Sequence, residues 1–266
     1  VCISACAVAQ QTVFESNGIV YGVVSDSECA VEPYSYLLSS AYSGAITIPQ
    51  TVNHDGTTYT VTALGASAFE GCTGVTSLIL PETIRSIGSY CFYNCSFTSI
   101  QLPDSLRSIA DNAFLYSQVR ALHLPAHFES YGECAFWARN LTSITVDTAN
   151  PHFCSIGEWL YSKDSTTLCI VPDGVTGAIN VPSYVRHLGY QSFGFNAQAT
   201  SVSLPEGLVS IGGIAFNCCS RINNITIPST VTRIGLCPFS YCPQLNNLTI
   251  ASGNQHYVMD GLMLYS

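Results

Sequence analysis

The sequence predicts an α/β repeat solenoid dominated by strands, and three observations carry that prediction. Apart from Pro172, prolines preceded by Ile, Leu or Val stand at 49, 81, 103, 125, 182, 205 and 228, with spacings of 32, 22, 22, 57, 23 and 23. A unit of 22–23 residues therefore recurs with two expansions. Phenylalanine fills one slot in every unit, at 69, 92, 114, 136, 193, 216 and 239, which predicts seven turns. The composition fits an extended surface around a long core. Hydrophobic residues reach 47% and charged residues only 9%, against about 25% in an ordinary domain.

Each slot has a physical reason. The unit reads apolar-Pro-x-x-apolar-x-x-Ile-Gly-x-x-small-Phe, as in 102–123, LPDSLRSIADNAFLYSQVRALH. Segments 97–102 and 141–146 end in period-2 alternation, the mark of a strand with one face inward. Proline follows the strand, donates no amide hydrogen and ends the ladder. Glycine follows the Ile-type position at 65, 88, 132, 189, 212 and 235, but Ala110 replaces it once. Alanine resists positive φ, so the column points to close backbone approach. Residues 88–95, GSYCFYNC, have room for one helical turn.

The expansions repeat as well. Residues 150–162 match 254–266 at an offset of 104, and 43–49 match 176–182. Asn17-Gly18-Ile19-Val20-Tyr21 reads as a first strand, and Lys163-Asp164-Ser165 as a turn between strands. This predicts three copies of a β-hairpin module, the last stopping after its first strand, in a natural chain that continues. The expected organisation is a signal-peptide remnant at 1–9, a hairpin cap at 10–47 and repeats over 48–146. A hairpin insertion at 147–180, repeats over 181–250 and the start of another hairpin at 251–266 follow.

Charge and cysteine content bound the function classes. Eight Lys+Arg against 17 Asp+Glu give a net charge of −9, which argues against nucleic acid and anionic membrane as partners. No apolar run approaches the ~18 residues of a membrane span. Residues 1–9, VCISACAVA, look like the tail of a secretory signal with Ala7-Val8-Ala9 as its cleavage site. A second reading takes 3–6 as a lipobox, with Cys6 as the lipid anchor.

Thirteen cysteines follow the repeat rather than a disulfide framework. Three residues after each Phe stand Cys72, Cys95, Ser117, Arg139, Asn196, Cys219 and Cys242. Cys91-x₃-Cys95 and Cys237-x₄-Cys242 mimic metal pairs, yet each is two repeat slots. The four column cysteines are expected to be buried and reduced. Hairpin register about Asp164 would place Cys169 opposite residue 158–159, which argues against a Cys154–Cys169 disulfide.

These residues, above all the Ile-Gly-x-x-Ala-Phe-x-x-Cys signature, resemble the BspA-like branch of the leucine-rich-repeat family of bacterial and some protozoan surface proteins. The resemblance covers about residues 14–266, with departures at Ala110, Tyr131 and Pro238. It implies a right-handed superhelix in which the Cys/Asn column satisfies backbone groups inside the turn. It also implies binding to host matrix proteins or other cells.

The functional expectation is therefore a non-enzymatic, secreted or surface-displayed binding module with an extracellular protein or glycoprotein as partner. A structural spacer is the alternative, and a hydrolase stands third. No HExxH, G-x-S-x-G, glycine-rich phosphate loop or EF-hand pattern is present. The sequence assigns no catalytic residue, no metal and no cofactor. An adhesin should carry an aromatic or charged patch on one face, whereas a spacer should be bland. An enzyme would need a pocket that only the insertion could create. Outward strand positions recur as Ile79, Gln101, His123 and Thr145, then Ser203, Thr226 and Thr249. Arg120, His123 and His127 cluster in one repeat of a cation-poor chain, and with Gln101 they form the candidate ligand contact. Solvated variation explains the same residues.

Overall fold

The computed structural model describes residues 12–37, 41–260 and 263–265. The expected signal remnant and the Cys6 lipid anchor lie outside them. The chain winds as a strand-dominated solenoid of about eight turns. The Phe column foresees seven because the coil that passes through the insertion carries no Phe slot.

Two sheets organise the coil's second side, and each opens with a hairpin. Val13–Ser16 pairs antiparallel with Ile19–Val23, and that strand with Glu28–Val31. Asn17 and Gly18, at φ 52° and 76°, form the first turn rather than the start of a strand. Two consecutive positive φ values match the twist of a tight hairpin, which is why an Asn-Gly pair sits there. Glu28–Val31 then runs parallel to Thr57–Leu64. The ladder continues through Ser86–Ile87, Ser108–Ile109 and Ser130–Tyr131. A further hairpin, Thr51–His54 with Thr57–Leu64, turns at Asp55-Gly56.

The second sheet repeats this plan. Phe153–Ile156, Trp159–Ser162 and Thr167–Ile170 form an antiparallel hairpin, and the last strand runs parallel to His187–Leu188. Ser210–Ile211 and Arg233–Ile234 extend it. Leu160 and Leu168 are fully buried, and Trp159 and Ile170 half-buried. Cys169 falls at the bulge opposite Leu160/Tyr161, not at 158–159, while Cys154 faces Tyr161. Near the C-terminus Val258–Asp260 pairs with Met263–Tyr265. That module thus has two strands where the sequence predicts one.

The proline-ended strands form parallel pairs on another side. Ser43–Thr47 joins Gly74–Ile79, Ala121–Leu124 joins Ser143–Val146, Gly177–Asn180 joins Ala199–Ser203, and Asn224–Ile227 joins Asn247–Ile250. Segment 97–102 buries Phe97, Ile100 and Leu102 as predicted, but forms no ladder strand.

The turn side departs most from expectation. Residues 88–95 form no helix; the one helical turn among the described residues is the 3₁₀ piece Tyr34–Tyr36. Instead the amides of Tyr90, Phe92 and Asn94 donate to Asp111, Ala113 and Leu115 of the next coil. Tyr90 and Asn94 take positive φ, 56° and 54°, to aim those amides along the solenoid axis. A one-turn helix leaves most of its amides and carbonyls unpaired, whereas bonds between coils satisfy them.

The core is a file of rings. Phe69, Phe92 and Phe114 stack in sequence, as do Phe193, Phe216 and Phe239. The file breaks at the insertion, where Phe136 packs on Phe128 and Tyr131. The glycine column works by close approach. A Cβ on Gly88 would lie 2.6 Å from the Ala66 amide nitrogen, and none of the column glycines has positive φ.

Candidate functional site

On the strand face the structure places His123 opposite Thr145 in a parallel ladder, Nδ1 to Oγ1 2.9 Å. Gln101 and His123 are both exposed, one repeat apart. Arg120 is exposed, and its amide donates to the Thr98 carbonyl at 3.1 Å. His127 stands beyond the Pro125 corner, its Nδ1 3.1 Å from the Asp104 carbonyl. Gln101, Arg120 and His123 thus belong to the strand side and its approach, while His127 belongs to the turn that follows.

A different face carries the strongest departure from the repeat. Just past the core Phe slot, the turns present aromatic side chains outward. Tyr90 meets Tyr93, Tyr93 meets Tyr116, Tyr116 meets Trp137, and Trp137 stacks on Phe195. The last contact spans 58 residues because the insertion intervenes. The coil carrying the insertion crosses this face only at 171–174, where the Val171 amide bonds Ser192 and the Gly174 amide bonds Leu141, both at 2.7 Å. The shortcut leaves a cavity of about 530 Å³ lined by Tyr116, Trp137, Arg139, Asp173, Phe195 and Gln198, among others.

Asp173 is the chemical anomaly of that cavity. It is 7% exposed, and its Oδ2 has no hydrogen-bond partner. Desolvation pushes its carboxyl well above the usual carboxylate range. The Arg139 guanidinium sits over the Tyr116 ring at 4.8 Å. Across the same break, Gln191 bonds Cys134 twice, accepting from its amide at 2.9 Å and donating to its sulfur at 3.0 Å. Sequence reasoning missed this site. The available signals were Arg139 in a Cys/Asn column and the aromatics one or two residues after the core Phe.

The model of the BspA type leucine-rich repeat region matches in six copies, over residues 43–168 and 175–260. The chain belongs to the BspA type leucine-rich repeat family. Among solved structures, a leucine-rich repeat protein from Eubacterium ventriosum is similar at 19% identity and TM-score 0.64, with 93% of this chain and 77% of that chain covered. The pneumococcal vaccine antigen PcpA is similar at 19% identity and TM-score 0.61, with 91% and 82% covered. Both show the same fold. No curated protein matches the chain.

In these BspA type repeats the Cys/Asn column is internal scaffolding. Cys95 donates to the Phe69 carbonyl at 3.0 Å and Cys242 to the Phe216 carbonyl at 2.9 Å. Asn196 does the same work with two atoms, donating to the Pro172 carbonyl and accepting from Gln198 and Ala199 amides. Cys72, Cys95 and Cys219 are buried, Cys242 is half-buried, and all eleven cysteines of the described residues are free. The residue that recurs functionally in the hairpin modules is Asn rather than the neighbouring His. Asn150 ties the Pro125 and Phe128 carbonyls to the His152 and Phe153 amides, and Asn254 repeats this with Pro228, Val231, His256 and Tyr257. Among the described residues no group of three or more His, Cys, Asp or Glu could hold a metal ion. No helix among them is long and apolar enough to cross a membrane. A BspA type leucine-rich repeat is a protein-interaction fold, generally without enzymatic activity.

Proposed function

We propose that this chain is a secreted or cell-surface module that binds an extracellular protein or glycoprotein and mediates adhesion to host or neighbouring cells. The observation that carries the reading is the aromatic file on the turn face, Tyr90, Tyr93, Tyr116, Trp137 and Phe195. Aromatic side chains supply large contact area at small entropic cost and are enriched where proteins meet. A spacer gains nothing from rings held at a surface. One fold neighbour is a vaccine antigen, which is in keeping with this reading. Burial keeps the thiols of Cys72, Cys95 and Cys219 protonated and poorly reactive, so they can persist unpaired outside the cell.

Gln101, Arg120 and His123 on the strand side, with His127 on the turn that follows, are the second proposed contact of the same module. Arg120, His123 and His127 are exposed cationic or titratable groups of one repeat on a chain of net charge −9, and Gln101 stands one repeat before His123.

Purified chain on beads should bind intact epithelial cells or immobilised matrix proteins above a control solenoid of equal size. Tyr93→Ala/Tyr116→Ala should weaken that binding by about tenfold. Arg120→Ala/His123→Ala tests the strand face in parallel. Absence of binding to every cell and matrix surface by well-folded chain rejects the adhesive reading in favour of a spacer.

A further inference from the structure

We infer that the cavity between Trp137 and Asp173 is a binding site for an organic cation: an ammonium or guanidinium group on an apolar stem, as on a partner's lysine or arginine side chain. The inference rests on the binding-module reading and gives that module a specific pocket.

The pocket exists for a structural reason. Regular coils close the turn side by amide bonds at every second residue, as when Tyr116 donates to the Trp137 carbonyl and Phe195 to that of Asn217. The insertion's coil makes only the short crossing at 171–174, and Trp137 reaches Phe195 over it. The resulting space of about 530 Å³ has the size of a small-ligand pocket.

Its chemistry selects for positive charge. Asp173 Oδ2 is a buried acceptor with no donor in the protein, an unfavourable condition unless something entering the cavity supplies the donor. The surrounding surface is aromatic, from Tyr116, Trp137 and Phe195, and ring faces attract cations most strongly where water is excluded. Tyr116 already demonstrates the contact with Arg139. Asp173 is the only carboxylate lining the cavity and Arg139, held over the Tyr116 ring, its only cation, so a donor that enters meets one unpartnered acid, whose charged form it would stabilise. The titratable groups that sense Asp173 are the thiols of Cys134 and Cys219, and Cys134 also feels Glu133 and Asp111. A sugar is a poorer match. Beyond Asp173 the lining side chains with hydrogen-bonding groups are Tyr116, Arg139, Gln198 and Cys218; the Gln198 side-chain oxygen already accepts from Arg221, and Arg139 is engaged over the Tyr116 ring.

The test is calorimetric titration of the full chain with n-butylammonium, N-acetyl-lysine amide, N-acetyl-arginine amide, the neutral N-acetyl-norleucine amide and methyl glucoside. A Trp159→Phe background makes Trp137 the sole fluorescent indole. At least one cationic probe should bind with Kd of about 1 mM and perturb Trp137, and norleucine should bind about tenfold more weakly. Asp173→Asn, checked for folding by circular dichroism, should abolish the preference for the cation. Trp137→Ala should weaken every cationic probe. Binding of butylammonium but not of the peptide amides marks a free amine as the ligand rather than a partner's side chain. Equal binding of norleucine, tighter binding of the glucoside, an unchanged cation preference in Asp173→Asn, or no binding by any probe overturns the proposal. Cell or matrix binding that survives Asp173→Asn would leave the module reading standing while the cavity reading falls. Cation binding without any cell or matrix binding would do the reverse.

Discussion

The thiol of Cys219 donates to the backbone carbonyl of Phe193, one coil away, over 3.0 Å. Cys95 and Phe69 stand in the same relationship, 26 residues apart. One side chain thereby fastens successive coils at the point where the core ring enters. Ser117 occupies the same column, but its buried hydroxyl finds no partner; a C–O bond is shorter than a C–S bond.

Ser117→Cys should therefore stabilise the chain, by about 1 kcal/mol, by restoring the bond its neighbours make. Cys219→Ala should cost about 1–2 kcal/mol through the lost thiol bond and the space left in the core, although the Phe193 carbonyl keeps its bond from the Asn196 amide. Urea unfolding of both variants measures the two signs. A Ser117→Cys protein no more stable than wild type would show that the column thiols contribute packing alone.

Burial raises Cys29, Cys72 and Cys169 from 9.0 to about 11, and Cys95 to about 12. Above pH 9 the unfolded chain releases these protons while the folded chain keeps them, so stability falls with rising pH. Buried Tyr21, Tyr42 and Tyr161, also raised chiefly by desolvation, act in the same direction. Melting temperature should be flat near pH 8 and decline between pH 9 and about 12. Alkylation of denatured, unreduced protein followed by mass spectrometry should find Cys72, Cys95, Cys219 and Cys242 all modified.

Asp173 gives the same linkage at acid pH. Desolvation holds its folded-state carboxyl well above the usual carboxylate range, so its contribution is fully present at acid pH, below the unfolded chain's carboxylate range, and is lost as pH rises. Relative to Asp173→Asn, wild type should become less stable from pH 4 towards pH 8. Parallel stability curves for the two proteins over this range would contradict the burial of an unpaired acid.

The ring file predicts a gradient. Phe114 is fully buried between coils, and Phe114→Ala should cost about 3–5 kcal/mol. Phe239 is only half-buried at the last Phe slot, and Phe239→Ala should cost clearly less. Chemical denaturation midpoints compare them directly.

Much of this molecule is determined by its sequence alone. The Phe file, the proline corners, the Cys/Asn column and the glycine column all sit where a 22–23-residue period places them. Each is a one-coil rule repeated, and a repeat makes local chemistry readable. The Asp55-Gly56 hairpin was not foreseen, because it lies outside the repeat pattern, although its turn pair was an available signal. What only the tertiary structure decided comes from contacts between coils. Residues 88–95 have room for one helical turn in isolation, yet bonding partners one repeat away draw them into a ladder with positive φ at Tyr90 and Asn94. Asp173 reads as an ordinary acid after Val171-Pro172. It becomes a buried, unpaired carboxyl beside Trp137 and Phe195 because the insertion shortens one coil on the turn side. A period fixes what each coil does by itself; the place where two unequal coils must pack is set by the space left between them.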